Sequence, residues 1–219
     1  MSQVMSPHLY VLAPQNIETD CFIPVLKEAC TAGNVASLLL PLPDTDMRAQ
    51  INFVKTIAPV AQTWETAVLL SGTKQEELIA VALRGGADGI HINRNKKASL
   101  KQLRQQLGSD YILGVGGLFT KDDAMFAGEF GADYLMFGEK TEEKGLPNIE
   151  EVREQTAWWA EIFEVPCVAY APTMAALEEL AATGVDFIAV DDLVWKYPTG
   201  TGAAVADINS VLAKYTVAE

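Results

Sequence analysis

Three short segments share one spelling: Gly86-Ala87-Asp88-Gly89-Ile90-His91-Ile92, Gly131-Ala132-Asp133-Tyr134-Leu135-Met136-Phe137 and Gly184-Val185-Asp186-Phe187-Ile188-Ala189-Val190. Each reads as a helix stopped by glycine, an aspartate in a tight turn and then a buried strand. The aspartates stand 45 and 53 residues apart, too far for one β–α unit and right for two. A chain whose alternate strands begin in the same way is constrained towards a β/α barrel, in which chemistry belongs to the C-terminal ends of the strands.

The alternation runs through all 219 residues. Strands are expected at His8–Leu12, Val35–Leu40, Trp64–Leu70, Ile90–Ile92, Tyr111–Val115, Tyr134–Phe137, Pro166–Tyr170 and Phe187–Val190. Helices are expected at Thr19–Ala32, Asp46–Ala58, Gln75–Arg84, Ser99–Leu107, Lys121–Phe130, Ile149–Phe163, Met174–Thr183 and Ala203–Tyr215. Eight strands with eight helices, and no break in composition, predict one α/β domain over residues 1–219, a (β/α)8 TIM barrel. An open doubly wound sheet is the alternative. It is disfavoured because Gly114-Val115-Gly116-Gly117 lacks the third glycine of a dinucleotide fingerprint.

Charge narrows the partners. A net charge of −13 supplies no basic patch, which argues against nucleic acid and against an anionic membrane surface. A phosphorylated small molecule stays open, because a local ring of amides can outweigh global charge. No apolar run is long enough to span a bilayer and no signal peptide is visible, so a cytoplasmic location is expected. Cys21, Cys30 and Cys167, without C-x-x-C spacing, read as reduced thiols. A homo-oligomer is a further expectation, from Trp158 and Trp159 side by side on one helix.

Several spellings go beyond a generic barrel. Ala87-Asp88-Gly89-Ile90-His91-Ile92, Ile112-Leu113-Gly114-Val115, Gly131-Ala132-Asp133-Tyr134 through Gly138, Leu9-Tyr10-Val11-Leu12 and Val165-Pro166-Cys167-Val168-Ala169 resemble, in order, segments of the thiamine phosphate synthase and thiazole tautomerase superfamily. The resemblance implies a (β/α)8 barrel. It also implies a transferase that joins a hydroxymethylpyrimidine diphosphate to a thiazole phosphate, releasing pyrophosphate with Mg²⁺.

At the strand ends this chain departs from that pattern. Where the family has Q-x-R-x-K after strand 2, Leu39-Leu40-Pro41-Leu42-Pro43 stands, and proline carries neither charge nor N–H. The N-D-R after strand 3 is replaced by Leu69-Leu70-Ser71-Gly72, and Lys96 stands about where the second metal aspartate belongs. Mg²⁺ wants hard anionic oxygens, so no cofactor is expected and no metal ligand is assigned. Strand 5 keeps Gly114 but has Gly116 for the family's serine and Leu118 for its histidine. The glycines of the phosphate cradle after strand 7 are replaced by Ala171-Pro172, and strand 8 ends in Asp191-Asp192.

The remaining candidates follow from position. Asp191 and Asp192 are the candidate catalytic pair, of which strand alternation lets one point inward; the competing reading is a helix cap or an ion pair. His91, Arg94, Lys96 and Gly116 are candidate ligand-binding residues, and the resemblance adds Thr141 and Lys144, which stand where the family presents a T-x-T-K type loop after strand 6. Against each stands a structural reading, as a core histidine, a solvated basic turn or a solvated loop. Thr199-Gly200-Thr201-Gly202 is either a small anion nest or an ordinary helix start. The expectation is a thiamine phosphate synthase-like barrel that does not itself perform the condensation. Two alternatives stay open: a divergent barrel enzyme on another small substrate, and a non-catalytic paralogue that binds a ligand or partner.

Overall fold

The computed structural model describes residues 6–72, 74–93, 97–140 and 145–215. Eight parallel strands close into a barrel in sequence order: β1 (His8–Leu12), β2 (Ser37–Pro41), β3 (Ala67–Ser71), β4 (Gly89–Asn93), β5 (Ile112–Gly116), β6 (Tyr134–Phe137), β7 (Cys167–Tyr170) and β8 (Phe187–Val190). The expected (β/α)8 barrel is therefore the fold. Around it run α1 (Thr19–Ala32), α2 (Met47–Gln62), α3 (Gln75–Gly85), α4 (Lys97–Leu107), α5 (Lys121–Glu129), α6 (Ile149–Ile162), α7 (Met174–Ala181), α8 (Asp192–Trp195) and α9 (Thr201–Leu212). None of the described helices is long and apolar enough to cross a membrane.

Two hydrophobic layers follow from strand alternation. Side chains such as Leu38, Leu40, Val68, Leu70, Ile90 and Leu113 face outward and pack under the helices. Those of the other parity, including Tyr10, Leu39, Leu69, Tyr134, Met136, Val168 and Tyr170, fill the barrel. The interior is thus a packed core rather than a pore.

The repeated aspartates have one structural job. Asp88 Oδ2 accepts the Val68 backbone N–H at 2.7 Å, Asp133 Oδ2 accepts that of Leu113 at 2.7 Å, and Asp186 Oδ2 accepts that of Cys167 at 2.8 Å. Each carboxylate at the start of an even strand thereby binds an amide at the start of the odd strand before it. These amides lie where the ladder would otherwise leave a donor unpaired.

Three of the differences from the sequence expectation have a visible physical setting. The third strand begins at Ala67 rather than Trp64, because Trp64 is 46% exposed and Glu65 adopts a left-handed φ of 59° that ends the preceding turn. Helix α2 runs through Pro59 to Gln62 instead of stopping at Ala58, and its last turn is closed by the Pro59 carbonyl, which accepts from the Thr63 amide at 3.1 Å and the Thr63 hydroxyl at 2.7 Å. A ninth described helix, α8, begins at the Asp191-Asp192 pair. Its Trp195 donates its indole N–H to the Leu12 carbonyl at 2.7 Å and packs on Phe22.

Candidate site at the barrel mouth

Four polar groups, Tyr10, Tyr134, His91 and Glu139, form one connected chain. Register places His91, Gly114 and Tyr134 opposite one another on β4, β5 and β6. Glycine at the middle position is required. A Cβ on Gly114 would lie 2.0 Å from Tyr134 Cζ, so only its absence lets the tyrosine ring cross β5 and stack on His91, with ring centroids 5.6 Å apart. Tyr134 Oη then lies 2.8 Å from His91 Nδ1 and 2.8 Å from Tyr10 Oη, which reaches across the barrel from β1.

The chain ends at Glu139, just beyond β6. Its Oε1 lies 3.0 Å from His91 Nε2, and its Oε2 accepts the Gly117 backbone N–H at 2.6 Å. A carboxylate only accepts, so Nε2 carries a ring proton, and in that tautomer of the neutral ring Nδ1 accepts from the Tyr134 hydroxyl. Tyr10 then donates to Tyr134 Oη, and every hydrogen bond in the chain runs in one direction. Burial raises both tyrosine pKa values well above the ordinary range; in Tyr134 the neighbouring Tyr10 adds to it.

Room for Glu139 comes from the second alternate glycine of β5. A Cβ on Gly116 would stand 1.7 Å from Glu139 Oε2 and 2.7 Å from His91 Nε2. Gly117 follows with a φ of 64°, the left-handed region that favours glycine.

The candidates of the sequence reading are distributed unevenly. His91, 2% exposed, and Gly116 are brought together with Glu139. Asp191 has the inward parity of Phe187 and Ala189, and it accepts the Tyr170 hydroxyl proton at 2.8 Å. Burial and then this carboxylate raise the Tyr170 pKa above its usual value. Asp192 turns away, into the first turn of α8, where it pairs with Lys196 at 2.7 Å and is 58% exposed. Arg94, Lys96, Thr141 and Lys144 lie outside the described residues. The Gly200–Gly202 segment starts α9, and its Gly202 amide is held by Glu28 Oε1 at 3.0 Å. Sequence reasoning missed Tyr10, Tyr134, Glu139 and Tyr170. The signal that bore on them was Gly114 and Gly116 two apart on one strand, a gap that neighbouring strands must fill.

The donors for a divalent metal are sparse at the strand ends. β3 and β4 finish in Ser71 and Asn93, and no group of three or more His, Cys, Asp or Glu among the described residues is placed to hold an ion.

Fold and site together define a (β/α)8 barrel whose polar groups converge at the C-terminal ends of its strands, the architecture of barrel enzymes. The family model described as thiamine monophosphate synthase matches residues 9–193. The thiamine-phosphate synthase of Rhodospirillum centenum is 35% identical, over 93% of this chain and 97% of that protein. The one from Hyphomonas neptunium is 33% identical, over 93% and 92%. The solved thiamine phosphate pyrophosphorylase of Pyrococcus furiosus superposes with a TM-score of 0.76 over 95% of this chain and 96% of that one, at 20% identity. The chain belongs to the thiamine monophosphate synthase family.

Proposed function

We propose that this family member does not join a pyrimidine diphosphate to a thiazole phosphate, and that its barrel mouth binds a different small molecule. The observation that supports this reading is the seat of Glu139. Its carboxylate takes the Gly117 amide just after β5 and the His91 N–H on β4, donors that an anionic substrate would need. A phosphate arriving there meets a like charge. Two unit charges 4 Å apart repel by about 4 kcal/mol at an effective dielectric of 20. The end of β2 offers no relief, because Leu39-Leu40-Pro41-Leu42-Pro43 carries no cation.

On this reading the family's metal is not held in the family's manner, since Leu69-Leu70-Ser71-Gly72 stands for the N-D-R segment and Lys96 about where the second metal aspartate belongs. A second reading, an enzyme acting on another small substrate, is favoured by Asp191, which is inward and held by Tyr170. The test is direct. Purified protein is given the pyrimidine diphosphate, the thiazole phosphate and Mg²⁺, with an active thiamine-phosphate synthase in parallel. No thiamine phosphate above the protein-free blank is expected, and sustained turnover by the chain would refute the proposal.

A further inference from the structure

We infer that the end of β5 and the His91 ring form a receptor for a small carboxylate, and that Glu139 is its built-in occupant. The inference rests on the preceding reading, that the mouth is not a diphosphate site, and adds the class of ligand.

The two donors are set by the framework and not by the carboxylate they hold. His91 is 2% exposed, its Nδ1 is fixed at 2.8 Å from Tyr134 Oη, and Tyr134 is in turn fixed by Tyr10. The Gly117 amide is aimed by the left-handed turn that closes β5. The donors lie on different strands and contact different oxygens, at 3.0 and 2.6 Å. That is the two-point geometry a planar carboxylate satisfies. Gly116 supplies the floor, because any side chain there would occupy the carboxylate's place. Glu139 reaches the receptor from beyond β6 and remains 16% exposed, so the receptor opens to the mouth.

One negative charge fits better than two. Asp191 shares the inner face of the mouth and penalises a phosphate dianion more than a monocarboxylate. In the native chain an incoming carboxylate must displace a tethered one. The tether confers an effective concentration on the order of millimolar or above, so a bare carboxylate competes poorly, and a ligand with further contacts in the mouth succeeds.

Glu139→Ala removes the occupant and leaves the receptor. Sodium acetate is titrated into the variant and the native chain at constant ionic strength, with sodium chloride as the blank. The Gly117 amide is followed by ¹⁵N–¹H correlation spectra and binding by calorimetry. A saturable Gly117 shift in the variant is expected, with acetate at least about tenfold weaker in the native chain. The additional substitution His91→Ala should abolish it. Glu139→Gln, which keeps the shape and drops the charge, repeats the test should the alanine variant fold poorly. Absence of a saturable shift in a folded variant overturns the receptor. Tighter binding of inorganic phosphate than of acetate overturns the carboxylate assignment. Thiamine phosphate formation by the native chain refutes the preceding reading alone, whatever acetate does.

Discussion

At the scale of single residues, the site depends on what two glycines omit. Gly114 makes way for the Tyr134 ring and Gly116 for the Glu139 carboxylate. Gly116→Ala puts a methyl 1.7 Å from Oε2, so Glu139 must leave both of its donors. Hydrogen bonds to a charged group contribute roughly 1.5–3 kcal/mol, and a loss of that size is expected in urea unfolding of Gly116→Ala. An unchanged midpoint would mean that Glu139 contributes nothing where it sits. Part of this arrangement was legible. Gly116 stands at a strand end, where a barrel keeps its functional groups, and His91 lies within β4. Glu139 was not legible, because in Gly138-Glu139-Lys140 it reads as one charge of a solvated loop, and only the barrel's closure brings it onto β5. Tyr134 was hidden differently. Tyr-Leu-Met-Phe is apolar at every position, so nothing in β6 itself distinguishes inward from outward residues.

At the scale of elements, the aspartates at the starts of β4, β6 and β8 fasten strand pairs, each by one carboxylate–amide bond. Two have added partners: Gln62 donates to Asp88 at 2.9 Å, and Arg104 pairs with Asp133 while also binding the Gly131, Gly108 and Tyr111 carbonyls. Asp186 accepts the Cys167 amide and lies beside the thiol of the same residue. Alanine at Asp186 should therefore cost about 1–3 kcal/mol, the range for a charged acceptor removed from a buried amide. Alanine at Asp133 should cost more, because Arg104 loses its carboxylate as well. Urea midpoints of the two variants check the ranking, and equal losses would remove the role given to Arg104. These elements were the most legible part of the chain, since a glycine stop, an aspartate and an apolar run are local signals. The boundary errors arose where tertiary context prevailed: Trp64 looks like a strand residue yet sits in a turn, and Pro59 is tolerated inside α2. The short helix α8 was invisible because Asp191-Asp192-Leu193-Val194-Trp195 carries no periodicity long enough to register.

At the scale of the whole molecule, the barrel buries ionisable groups that ionise readily once it opens. Desolvation, and then the nearby Asp186 carboxylate, pushes the Cys167 thiol from an ordinary 9.0 up to about 12. Burial likewise raises Tyr10, Tyr134 and Tyr170 above their usual 10.0. All four are neutral acids in the folded chain and ionise earlier in the unfolded one. Between the unfolded and folded pKa values the unfolded state binds fewer protons, so stability falls as pH rises. The contribution is fully present below about pH 9 and declines by about 1.4 kcal/mol per pH unit for each group in its window. Urea unfolding should thus give a free energy flat with respect to these groups from pH 7 to about 8.5, a decline beginning near pH 9 from Cys167, and a steeper one above pH 10 as the tyrosines join. Cys167→Ser should make the decline between pH 9 and 10 shallower, the Cys30 thiol, also raised by burial, still contributing there, and leave the steeper limb in place. Stability that holds constant to pH 11 would show that these groups stay accessible to solvent, and with that the packed interior linking Tyr10, Tyr134 and His91 to the mouth would have to be abandoned.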